Sequence, residues 1–113
     1  MENVELRSHA VGDSVVVALR GELDTVDAAS AAAMVAATAA GGQLLIIDLE
    51  ALEYLDCHAV RELLRVRELA RLAGGDVLLA APRACVLRLL TLLDVSGVHP
   101  SVAAALSAGR GRR

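Results

Sequence analysis

Asp56, Cys57 and His58 place a carboxylate, a thiol and an imidazole side by side. A thiol beside an imidazole suggests a Cys–His dyad, but neighbours on a helix point about 100° apart, a poor geometry for proton exchange. A metal would need further ligands, and only the distant Cys85 or His99 could complete the set. A redox-reactive thiol is a third reading: a helix start favours the thiolate, whereas the charge of Asp56 opposes it. Against it stands Cys57 as an inert small residue. Cys85, in the first turn of an apolar helix, reads as a buried hydrophobe. The chain has no glycine-rich phosphate loop and no nucleophile elbow, and turns and surfaces account for His9, His58 and His99. No catalysis, cofactor or metal is expected.

The elements that position these residues lie between Leu44 and Ala73. Leu44 to Leu49 is a branched apolar run, the mark of a strand covered on both faces. A short acidic turn, Glu50 to Leu55, leads to Asp56, whose carboxylate can cap a helix over Cys57–Ala73. Cys57 and His58 then occupy its first turn, where free amides and the positive end of the dipole meet solvent. Ala59, Leu63, Val66, Ala70 and Ala73 form its apolar stripe. Arg61, Glu62, Arg65, Glu68 and Arg71 form a solvated face with Glu62–Arg65 and Glu68–Arg71 pairs.

At 113 residues and 56% hydrophobic, the chain is expected to be one folded domain. It has no Phe or Trp and a single Tyr, so leucine and alanine must fill the core by close approach. All 11 basic residues are arginine. Arg110, Arg112 and Arg113 crowd the C-terminus, which leaves eight to face 14 acidic groups in the body and argues against nucleic acid as a partner. The acidic start lacks signal-peptide blocks, and the uncharged stretch Ala28 to Ile47 is alanine-rich and broken by Gly41-Gly42-Gln43. Two cysteines suggest free thiols in a reducing compartment. A cytoplasmic protein without membrane insertion is expected.

Val4 to His9 alternates as a half-exposed strand, Gly12-Asp13 turns, and Val15 to Leu19 runs back. Asp24 and Asp27 start an alanine-rich helix, Ala28 to Ala40, closed by Gly41-Gly42. Asp24 reads first as a cap, with a contact role open because its loop stands at the carboxyl end of a strand. Gly74-Gly75 stops the Cys57 helix. Val77 to Ala81 is a strand, and Arg83 to Leu93 a helix with Pro82 at its start. Val98-His99-Pro100 allows a short strand, and Ser101 caps a last helix through Leu106. The order ββαβαβαβα implies an α/β fold: a mixed, mostly parallel sheet of four to five strands, one antiparallel strand at the start, and about four helices.

That order and several strings resemble the STAS family, the sulfate transporter and anti-sigma factor antagonist domain. The strings are Gly21-Glu22-Leu23-Asp24, Leu49 to Asp56, Gly74 to Leu79 and Val98-His99-Pro100. Residues 1–107 would be the domain and 108–113 a flexible basic tail. The resemblance implies an anti-sigma factor antagonist that binds a kinase-type anti-sigma factor and lets go when a serine is phosphorylated. In such antagonists the aspartate precedes Ser-Ser-Gly-Leu-Gly.

Here Cys57 stands at the phosphoserine position, His58 at the second serine and Arg61 at the last glycine, so no phosphorylation is expected there. Asp94 stands at a helix-ending glycine. The partner surface implied is Asp24, Asp56, Cys57, His58 and Arg61. A role as an accessory subunit of a transporter or signalling assembly, a redox-sensing variant and a homodimer remain open alternatives.

Overall fold

In the computed structural model, residues 4–24, 29, 32–33, 35 and 42–111 are described. Strands β1 (Val4–Val11), β2 (Ser14–Leu23), β3 (Leu44–Leu55), β4 (Asp76–Ala80) and β5 (Val98–His99) form one sheet in that order. β1 pairs antiparallel with β2, and every other pairing is parallel. Three helices lie in unbroken described stretches: α1 (Cys57–Leu72), α2 (Ala84–Leu92) and α3 (Val102–Gly111). The α/β class and the mixed sheet are as expected. The expected Ala28–Ala40 helix, with Asp27 and Gly41 at its ends, falls mostly outside the described residues. Within it Ala29, Ala32, Ala33 and Val35 are helical, and Ala32 and Val35 are buried.

The sheet is apolar on both faces because alternate β3 side chains point to opposite sides. Leu45, Ile47 and Leu49 join Val17, Leu19, Val77 and Leu79 beneath α1 and α2. Leu44 and Ile46 join Val16, Leu78 and Ala80 against Ala105 of α3. Glycine permits this close approach. A Cβ on Gly109 would collide with Leu44 Cδ2, and one on Gly75 with the main-chain oxygen of Gln43.

Two expectations fail here for identifiable reasons. β3 does not end at Leu49 in an acidic turn but runs on to Leu55. Between Ala18↔Asp48 and Arg20↔Ala51, and again between Gly21↔Leu52 and Glu22↔Tyr54, β3 carries one extra residue. Each bulge switches the side that faces the core. The buried residues therefore fall at Leu49, Leu52 and Leu55, a spacing of three that hides the strand. At the other end, α3 does not stop at Leu106 but continues to Gly111, and Gly109 is buried. Its packing on Leu44 holds a turn that composition alone reads as loose.

Both helix ends at the α1–β4 and α2–β5 turns are Schellman motifs. Gly74, at φ 90°, and Gly75 donate to the carbonyls of Arg71 and Ala70. Asp94, at φ 57°, and Val95 donate to those of Thr91 and Leu90. Aspartate thus takes the left-handed position that glycine fills most easily.

Candidate functional site at the carboxyl edge of the sheet

β2 and β3 end side by side, with Leu23 paired to Leu55. The next residue on each chain segment is an aspartate, so Asp24 and Asp56 leave neighbouring strand ends together. The main-chain N–H of Asp56 donates to the carbonyl of Leu23 at 3.3 Å, which locks the two ends to each other. Asp56 has an extended backbone, and its Oδ1 accepts from the N–H of Ala59 at 2.8 Å. This is the expected N-cap, and it sets the first turn of α1 in a fixed orientation.

The first turn divides cleanly. Ala59 and Val60 are buried against the core, while Cys57, His58 and Arg61 are exposed. The five residues singled out from the sequence thus occupy two adjacent loops and the helix turn that follows one of them. His58 directs Nε2 at Glu62 Oε2, 3.7 Å away and one turn along the helix, rather than pairing with Cys57. Glu62 also lies 3.8 Å from Arg65 Nη2, so the expected Glu62–Arg65 pair is present.

Other charges on α1 depart from the expected solvated face. Glu62 is buried, and Arg71 reaches Asp76 Oδ1 at 2.9 Å instead of pairing with Glu68. Ala73 is the exposed C-cap and no part of the apolar stripe. Arg67, which the pattern does not distinguish from its neighbours, is buried. Its Nε donates to Val77 O at 3.1 Å and its Nη2 to Ser96 O at 2.9 Å. One guanidinium therefore joins α1, β4 and the loop before β5.

Beside Cys57 lies a groove of about 350 Å³, with Tyr54, Leu55, Asp56 and Cys57 on one side and Cys85, Val86 and Leu89 on the other. Cys85 is exposed, not buried as expected, and its Sγ is 3.7 Å from Glu53 O. Arg83 Nε, 3.0 Å from Glu50 O, ties the same helix start to β3. Tyr54 is 50% exposed and forms part of the groove wall. Its role escaped the sequence because the second bulge turns it outward. Among the described residues no cluster of three histidines, cysteines or carboxylates could hold a metal ion.

This edge presents Asp24, His58 and Arg61 together with a largely apolar groove lined in part by Asp56, Cys57 and Cys85, and a main-chain hydrogen bond links its two strand ends. Such an arrangement suits recognition of a protein surface. The STAS domain family model matches residues 5–105. The chain belongs to the STAS domain family. An anti-sigma factor antagonist from Mycobacterium paratuberculosis has a similar fold, with a TM-score of 0.85 at 24% identity over 95% of this chain and 94% of that one. The anti-sigma factor antagonist SpoIIAA of Bacillus, in its unphosphorylated form, gives a TM-score of 0.73 at 24% identity, over 95% and 97% of the two chains. The murine Slc26a9 anion transporter gives 0.77 at 17% identity, with 93% of this chain matching 19% of that one. At these identities the likeness establishes the fold alone, that of a STAS domain. A search of curated protein sequences finds no match. Among the described residues no helix is long and apolar enough to cross a membrane.

Proposed function

We propose that this STAS domain is a regulatory binding protein that docks a kinase-type anti-sigma factor through Asp24, Asp56, Cys57, His58 and Arg61. It does so without phosphorylation at the usual position, and without catalysis of its own. The observation that carries the reading is the capped first turn of α1, which exposes Cys57, His58 and Arg61 beside two aspartates on linked strand ends.

SpoIIAA has been solved in both phosphorylated and unphosphorylated forms, so a relative of this fold is modified. In this chain a thiol stands where the family resemblance puts the phosphoserine. Phosphoryl transfer depends on positioning, and sulfur is larger, softer and held at a different bond length. Arg61 adds a long cation where the family resemblance puts a glycine. Partner control at this position therefore rests on something other than serine phosphate. The same reading places the protein in the cytoplasm.

The likeness to one part of the Slc26a9 chain supports an alternative, a subunit of a transport or signalling assembly. Affinity capture with this chain as bait, followed by mass spectrometry, separates the two. Recovery of a protein with a kinase-type ATP-binding domain supports the antagonist reading, and recovery of a membrane transporter in its place overturns it.

A further inference from the structure

We propose that β1 is a homodimer interface, in which two copies of this chain pair their β1 strands antiparallel about a two-fold axis at Leu6 and fuse their sheets into one. The inference is independent of the docking surface above, whose residues it does not use.

β1 is the outermost strand of the sheet and eight residues long, whereas the opposite edge, β5, has only two. Among the described residues no strand pairs with the outer side of β1, and such an edge presents N–H and C=O groups to a further strand. The usual protections are bulges, prolines and charged side chains. β1 has neither bulge nor proline, its register with β2 being unbroken from Val4↔Gly21 to Val11↔Ser14, and its two charges, Glu5 and Arg7, are of opposite sign. Glu5, Arg7, Ser8, His9 and Ala10 are all exposed.

The hairpin fixes which main-chain groups face outward. The two-residue turn Gly12-Asp13, with Gly12 at φ 60°, makes Val11 and Ser14 a pair that exchanges both hydrogen bonds. Alternation puts His9, Arg7 and Glu5 in the same class. The N–H and C=O groups of Val4, Leu6, Ser8 and Ala10 therefore point away from β2.

Charge then selects one register. With the axis at Leu6, the outward groups pair Leu6 with Leu6 and Val4 with Ser8, each pair exchanging two main-chain hydrogen bonds. Glu5 stands opposite Arg7 of the second copy, and by symmetry Arg7 stands opposite its Glu5. These are non-hydrogen-bonded pairs, where side chains approach most closely. Across its own hairpin Glu5 already faces Arg20, so its carboxylate would lie between two arginines. An axis at Glu5 or Arg7 would set like charges face to face, and an axis at Ser8 would set Arg7 against His9. Val4 and Leu6 are half-buried and pack against the main core from the edge, so the Leu6 pairing also extends that core across the axis.

Sedimentation equilibrium of the full chain over a wide concentration range tests the proposal. A dimer is expected, and Arg7→Glu is expected to weaken it by roughly tenfold or more, since two attractive cross-strand pairs become repulsive. Glu5→Arg acts in the same direction. Mixing the Arg7→Glu and Glu5→Arg chains restores both attractive pairs and is expected to give a heterodimer tighter than either variant alone. Ser8→Pro removes an outward N–H without touching the β1–β2 ladder, so it weakens association while far-UV circular dichroism stays that of the parent. A parent chain that stays monomeric throughout overturns the proposal. So does a dimer indifferent to both Arg7→Glu and Ser8→Pro, or a failure of the mixed variants to associate.

Discussion

The N–H of Asp56 donates to the carbonyl of Leu23, 3.3 Å away, and the carboxylate of the same residue caps α1. One residue thereby closes the β2–β3 ladder and opens the helix. The backbone at Asp24, Cys57 and His58 is thereby tied together, so a partner docking there would meet a fixed frame. Structural and recognition roles of Asp56 can be separated on that basis.

Asp56→Ala removes the acceptor for Ala59 and is expected to cost about 1 kcal/mol of stability. Asparagine caps as well as aspartate, so Asp56→Asn is expected to unfold in urea like the parent. If the charge contacts a partner, both variants lose affinity despite their different stabilities. Urea unfolding beside partner titration checks this, and full affinity in Asp56→Asn would leave Asp56 a cap alone.

Arg67→Met keeps much of the side-chain volume but strips donors from the carbonyls of Val77 and Ser96. A loss of about 1–3 kcal/mol is expected in urea unfolding. Partner affinity of the folded fraction is expected to stay near the parent value, because none of the proposed docking residues bonds to Arg67 in these contacts.

Legibility in the sequence followed local chemistry. The Asp56 cap, the Gly74-Gly75 stop and the apolar centre of β3 each rest on near neighbours, and each appears where the residues put it. The end of β3 does not, because its bulges arise from pairing with β2 and turn a period of two into Leu49, Leu52, Leu55. Arg67 looks like Arg65 or Arg71 until the carbonyls of β4 and the following loop are in place. Cys85 sits on an apolar helix, yet its turn faces the groove rather than the core. The groove itself joins elements some thirty residues apart, and no spacing rule reaches across that distance.

Asp94→Gly is expected to stabilise the fold by up to about 1 kcal/mol, since glycine takes the left-handed position without a Cβ penalty. A rise in the urea midpoint with unchanged slope verifies it. A fall would mean that the Asp94 side chain contributes more than its backbone costs.

In a Cys85→Ser chain, a bulky neutral maleimide on Cys57 is expected to abolish partner binding while circular dichroism remains that of the unlabelled protein. Cys57→Ser, which changes only one atom, is expected to bind within a few-fold of the parent. Undiminished binding by the labelled chain would move the docking surface elsewhere.

The most direct test uses a kinase-type anti-sigma factor recovered by affinity capture. Affinity is measured by titration before and after incubation with ATP, and intact mass is taken from the same samples. Binding is expected to survive ATP treatment, with no phosphate added at Cys57. A phosphate mapped to Cys57, with release of the partner, would overturn the proposed mode of docking.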